Sequence, residues 1–70
     1  MTVEQLVLSC RNELRQVWLF DKKGSTLISC GEYDSELKEY FSYPVKYFYL
    51  EKVGNEHGLC RYDLNITVEV

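Results

Sequence analysis

Proline occurs once in this chain of 70 residues and glycine four times, which leaves no stretch with the composition of a flexible linker. The four glycines are dispersed, so no glycine-rich loop is present to cradle a phosphate. No apolar run approaches the roughly 20 residues that a bilayer-spanning helix requires, and no membrane association is expected. Leu6-Val7-Leu8 is too brief for the hydrophobic centre of a secretory leader, and Glu4 interrupts the N-terminus. The cysteines, Cys10, Cys30 and Cys60, are odd in number and widely spaced, whereas a short secreted chain carries an even, paired set. A cytoplasmic location with reduced thiols is therefore expected, and the glycosylation sequon Asn65-Ile66-Thr67 has no meaning there.

Clustered positive charge is also missing. The net charge is -3, and Arg11, Arg15, Lys22, Lys23, Lys38, Lys46, Lys52 and Arg61 are scattered, with only Lys22 and Lys23 adjacent. Nucleic-acid binding rests on grouped Lys and Arg and is disfavoured. A metal centre needs three or four ligands. Of Cys10, Cys30, His57 and Cys60, only His57 and Cys60 stand at a ligand-like separation, and no second close pair exists. No metal and no cofactor are expected. His57 is the sole histidine and falls in a polar loop, which gives a cysteine nucleophile no base. Glu32, Asp34, Glu36 and Glu39 gather where negative charge suits the start of a helix. A chain this short also has little room for a pocket of about 300 Å³ or more. The expectation is that the protein is not an enzyme.

What the chain does have is apolar and aromatic bulk. Hydrophobic residues make up 46% and aromatics 14%, including six Tyr, three Phe and Trp18. Disordered chains lack both, so residues 1–70 are read as one folded domain. A domain of this size buries only about 60% of its unfolded surface, and its stability margin is small.

The periodicities order the elements as α-β-β-α-β-β. Val3, Leu6, Val7, Cys10 and Leu14 repeat at helical spacing, with Thr2 and Gln5 set to form a capping box and Arg11 in the last turn. Gln16 to Phe20 and Thr26 to Cys30 read as a hairpin about the turn Asp21-Lys22-Lys23-Gly24. Asp34 or Ser35 caps a second helix to about Phe41, ended by Pro44. Val45 to Val53 is an aromatic strand, and residues 54–58 form a hairpin-sized loop. From Cys60 to Val70, apolar and polar residues alternate with period two, which predicts one buried and one wet face. The fold class is α+β: a four-stranded, largely antiparallel sheet with two short helices packed on one face.

Two strands conflict with a one-faced sheet. Val17 and Leu19 point one way, and Trp18 and Phe20 the other. Phe48 and Leu50 share a face with Lys46 and Lys52, while Val45, Tyr47 and Tyr49 share the opposite one. Two short helices shelter only one side, so Trp18, Tyr47 and Tyr49 are predicted to form an outer binding surface, of the residue types most enriched at protein contacts. The alternative is that loops or sheet curl cover these rings.

The helix opened by Met1-Thr2-Val3-Glu4-Gln5-Leu6, the turn Phe20-Asp21-Lys22-Lys23-Gly24, the aromatic strand and the alternating last strand together form a layout. In that layout, in the abundance of Tyr and in the lack of Ala, the chain resembles small uncharacterised accessory proteins of phages and mobile elements in Gram-positive bacteria. The resemblance spans the whole length but no specific motif, and it assigns no functional residue. It implies an accessory role in regulation or inhibition of a host system such as CRISPR defence. The outer face around Trp18, Tyr47 and Tyr49 is itself expected to bind a different protein or a second copy of the chain. The alternative role is inhibition of a host nucleic-acid enzyme, as anti-CRISPR proteins do, through the acidic group Glu32, Asp34, Glu36 and Glu39.

Overall fold

The computed structural model describes residues 1–10, 14–31, 34–56 and 59–70. Along the chain run α1 (Val3–Ser9), β1 (Leu14–Phe20), β2 (Thr26–Cys30), α2 (Ser35–Lys38), β3 (Val45–Glu56) and β4 (Leu59–Val68). The α+β class and the element order are those expected.

The sheet is mixed rather than largely antiparallel. Its order is β2-β1-β4-β3; the two outer pairs are antiparallel and the central pair, β1 with β4, is parallel. Each hairpin fixes its own antiparallel pair, but nothing local fixes how two hairpins join. Joined through β1 and β4, the sheet makes β2 and β3 run in the same sense. The segment between them must then travel the length of the sheet, as a crossover does. Within that segment α2 is only one turn long. Beyond it the chain advances through tight turns, Tyr40 N–H to Leu37 O, Phe41 N–H to Lys38 O and Tyr43 N–H to Tyr40 O, instead of continuing as a helix to Phe41.

Helix α1 spans 7 residues, too few to be stable alone. Its start is held three ways. The capping box forms: Gln5 N–H donates to Thr2 Oγ1 at 3.3 Å, and Thr2 N–H donates to Gln5 Oε1 at 2.9 Å. The first-turn N–H groups of Val3 and Glu4, unpaired in any helix, donate to Tyr43 O and Phe41 O. Val3, Leu6 and Val7 are buried. The helix stops at Ser9, with Cys10 already extended, so Leu14 belongs to β1 and not to the helical stripe. Arg11 lies outside the described residues.

One cluster forms the core: Val3, Leu6 and Val7 of α1, Leu37 of α2, and Leu14, Val17, Leu19, Cys30, Leu64, Ile66 and Val68 of the sheet. Seven of these are fully buried, each worth about 1.5–3 kcal/mol relative to exposure.

Bulges decide several faces. Leu14 pairs with Tyr62 and Gln16 with Asp63, so Arg15 is the extra residue. An inserted residue re-aims its neighbours: strict alternation would send Arg15 inward with Val17, but the bulge sends Leu14 inward and Arg15 out. A second bulge at Lys46 pairs Val45 with Val68 and Tyr47 with Thr67. Val45 therefore lies on the core side, not beside Tyr47 and Tyr49 as alternation predicts.

Candidate functional site

The face opposite the core is built from residues that stand side by side across the ladders. Phe20, Thr67 and Tyr47 form one row, Trp18, Asn65 and Tyr49 the next, and Gln16, Asp63 and Glu51 the third. The three predicted binding residues thus lie on one face, brought together by β1 and β3 on either side of β4. Tyr47 and Tyr49 are 55% and 53% exposed; Trp18 is half-buried. Adjacent strands are about 4.8 Å apart, so two aromatic columns flank β4 at roughly 10 Å from each other.

The floor between the columns corrects the expectation of a wet face. Asp63, Asn65 and Thr67 are 4%, 6% and 7% exposed. Polar residues in a central strand are shielded by what their neighbouring strands carry: rings flank Asn65 and Thr67, and Asp63 is covered by the Arg15 and Trp18 side chains that bond to it. Burial of this kind demands hydrogen-bond partners. Asp63 has them: Arg15 Nε donates to Oδ1 at 3.0 Å, Arg15 Nη2 to Oδ2 at 2.8 Å, and Trp18 Nε1 to Oδ2 at 3.1 Å. The fork from Arg15 is two-pronged, the strong geometry for a carboxylate. These bonds hold the Asp63 carboxyl below its ordinary pKa, Arg15 foremost, against the opposing push of burial. The Arg15 guanidinium is raised by the same contact. Asn65 is different: its Nδ2 is buried without a partner among the described residues.

At one end of this face Phe20, Gly24, Tyr47, Tyr49 and Thr67 line a shallow depression of about 210 Å³. Gly24, in the turn between β1 and β2, has φ of +92°, a conformation natural to glycine. Asp21 shapes that turn, its Oδ1 accepting from the N–H groups of Lys23 and Ser25, both at 2.9 Å.

The remaining candidates do not assemble. Among the described residues no three of His, Cys, Asp and Glu are placed to hold a metal ion, and no helix is long and apolar enough to cross a membrane. Burial pushes the Cys30 thiol up, with Asp34 and Glu36 adding to it, which disfavours the thiolate. Glu36 and Glu39 are exposed, but Asp34 Oδ2 is engaged with Gly31 N–H at 2.9 Å. Glu32, His57 and the side chain of Cys60 lie outside the described residues. The sequon at Asn65 sits in the middle of the central strand and is buried.

Sequence reasoning missed Arg15, Asp63 and Asn65. Nothing in the alternation of β4 separates a polar residue facing water from one beneath rings, and the bulge at Arg15 has no glycine to announce it. Comparison with protein-family models, with curated proteins and with solved structures finds no match for the chain.

Proposed function

We propose that this chain is a non-enzymatic binding module that holds a protein partner on the outer sheet face around Trp18, Tyr47 and Tyr49. Among the described residues, no helix contributes to the rows of this face. The observation that carries the reading is the pairing of two half-exposed tyrosines with a floor that is already dry. Tyr and Trp offer large, stiff contact area with only two side-chain torsions to order, and a buried floor needs no further desolvation. A regulatory, accessory role fits a module of this size. The acidic group around α2 gains no support of its own, since Asp34 is committed to its turn.

Selection of a displayed random-peptide library against the chain tests the proposal, with Tyr47→Ala/Tyr49→Ala as the counter-target. Peptides that bind the wild type and lose at least about tenfold on the double variant are expected, as for side chains central to a contact. Selection that enriches nothing, or that ignores both tyrosines, sinks the reading. Trp18 is a poor choice for truncation because it also holds Asp63. Sedimentation of the same two proteins separates the partners: a dimer lost in the double variant assigns the face to a second copy, and a monomer assigns it to a different protein.

A further inference from the structure

We infer that the chain pairs with a second copy of itself through the free edge of β3, strand against antiparallel strand, about a two-fold axis at Leu50. This goes beyond the reading above: it uses the rim of the sheet and leaves the outer face open to a different protein.

In the order β2-β1-β4-β3 the sheet ends on β2 and β3. An open edge presents unpaired N–H and C=O groups to any strand laid beside it, and a short edge limits that hazard. Strand β2 is short, at 5 residues, whereas β3 has 12. Only the start of the β3 edge is taken. There Val45 N–H donates to Met1 O at 2.8 Å, and Thr2 bridges to Pro44. Farther along, no other segment among the described residues pairs with this edge.

Strand β3 is also bare on both faces. Every residue from Lys46 to Val53 is exposed. On the core side Phe48 and Leu50 stand beside Ile66 and Leu64, which are buried, yet they are themselves 43% and 38% exposed. The cover over the core ends before it reaches them. A strand added at this edge, with apolar residues on the same side, extends the core past its present margin.

The residues of β3 complement themselves, which commits the occupant to a second copy. Bulges at Lys46 and Val53 bound a regular stretch in which Phe48, Leu50 and Lys52 face the core side and Tyr47, Tyr49 and Glu51 the outer side. A two-fold axis normal to the sheet brings core side beside core side, so the residue at the axis meets its own copy. At Glu51 or Lys52 the axis sets like charges opposite each other, which destabilises a strand pair. At Tyr49 it sets Lys52 against Lys46. At Phe48 it drives the second strand into Met1 and Thr2, where the edge is already taken. At Leu50 none of this happens. The two leucines meet, Glu51 stands opposite Tyr49, and Lys52 of each copy lies beside Phe48 of the other, a cation next to an aromatic ring. The paired stretch from Phe48 to Lys52 carries one Glu and one Lys, so the chain's net charge of -3 acts only from a distance, where salt screens it. Such a contact closes on itself as a dimer.

The paired stretch is short, so association on the order of 10–100 µM is expected. Sedimentation equilibrium of the full chain under reducing conditions, from about 10 µM to about 1 mM, measures it. An isotope-filtered nuclear Overhauser spectrum of an equal mixture of labelled and unlabelled chain locates it. Contacts between copies are expected from Leu50 to Leu50 and from Phe48 to Lys52. Leu50→Lys sets two ammonium groups at the axis and is expected to weaken association at least about tenfold while the dispersed amide spectrum of the fold is kept. Should that variant fail to fold, the contacts between wild-type copies decide alone. A wild-type chain that is monomeric at about 1 mM overturns the inference, as does a dimer that a folded Leu50→Lys leaves intact. Contacts between copies that come from Trp18, Tyr47 and Tyr49 without Leu50 overturn it as well, and the outer face itself then holds the second copy. None of these results decides whether selected peptides depend on Tyr47 and Tyr49, so the edge contact and the binding face fail separately.

Discussion

Asp63 is the residue on which the outer face turns. A carboxylate 4% exposed is costly to bury unless it is paired and hydrogen-bonded, and three donors from β1 meet it. The pairing ties the chain's two hairpins together on the side away from the core. Because its folded pKa is lowered, its stabilising contribution is present above the ordinary carboxylate value of about 3.9. That contribution is lost as pH falls through the depressed folded value. Asp63→Asn should therefore lower the urea midpoint at pH 7 and flatten its decline below about pH 4 relative to wild type. Carboxylates common to both proteins cancel in the difference. Profiles that stay parallel down to pH 2 would show that Asp63 titrates alike in the folded and unfolded chain, and the ion pair would lose its structural role.

At the scale of elements, legibility followed how local the determinants are. The capping box of α1, the turn at Gly24 and the span Thr26–Cys30 could be read directly, because each depends on residues within a few positions of one another. The start of β1 could not. Leu14 fits the helical stripe of Val3, Leu6 and Val7, and only the bulge at Arg15 shows that it reaches the core from a strand. Strand β4 was legible as a strand but not in its burial, since the dryness of Asn65 and Thr67 comes from rings on β1 and β3. The predicted site rings Trp18, Tyr47 and Tyr49 do share a face, whereas the burial of the polar floor between them is a tertiary product. Helix α1 offers a clean measurement of a local determinant. Thr2→Ala removes the acceptor for Gln5 N–H, and a lost cap costs about 1 kcal/mol. Thr2 has a strand-like bridge to Pro44 that alanine can keep, so the urea midpoint should fall without a change in slope. An unchanged midpoint would mean that tertiary anchoring by Tyr43 and Phe41, not the cap, sets the helix start.

The molecule as a whole depends on one long-range junction. Hairpin β1–β2 and hairpin β3–β4 are joined in one sheet where β1 and β4 run side by side, and the core residues Val17, Leu19, Leu64 and Ile66 lie across that seam. The same two strands carry Trp18 and Asp63 on the other face, so core and outer face cannot come apart independently. A chain under about 80 residues has roughly 3–5 kcal/mol to lose. Leu64→Ala, at a site 1% exposed, removes about 2–5 kcal/mol and should leave a largely unfolded population at 25 °C. Ile66→Val removes about 0.5–1.5 kcal/mol and should stay folded with a lower urea midpoint and the same slope. In that variant Trp18 fluorescence reports the outer face and far-ultraviolet circular dichroism reports the sheet. The two transitions should coincide, because loosening either side of the β1–β4 seam releases the other. A fluorescence transition that precedes loss of the sheet would mean that the aromatic face opens on its own while the core persists, and the seam would not be what binds the two together.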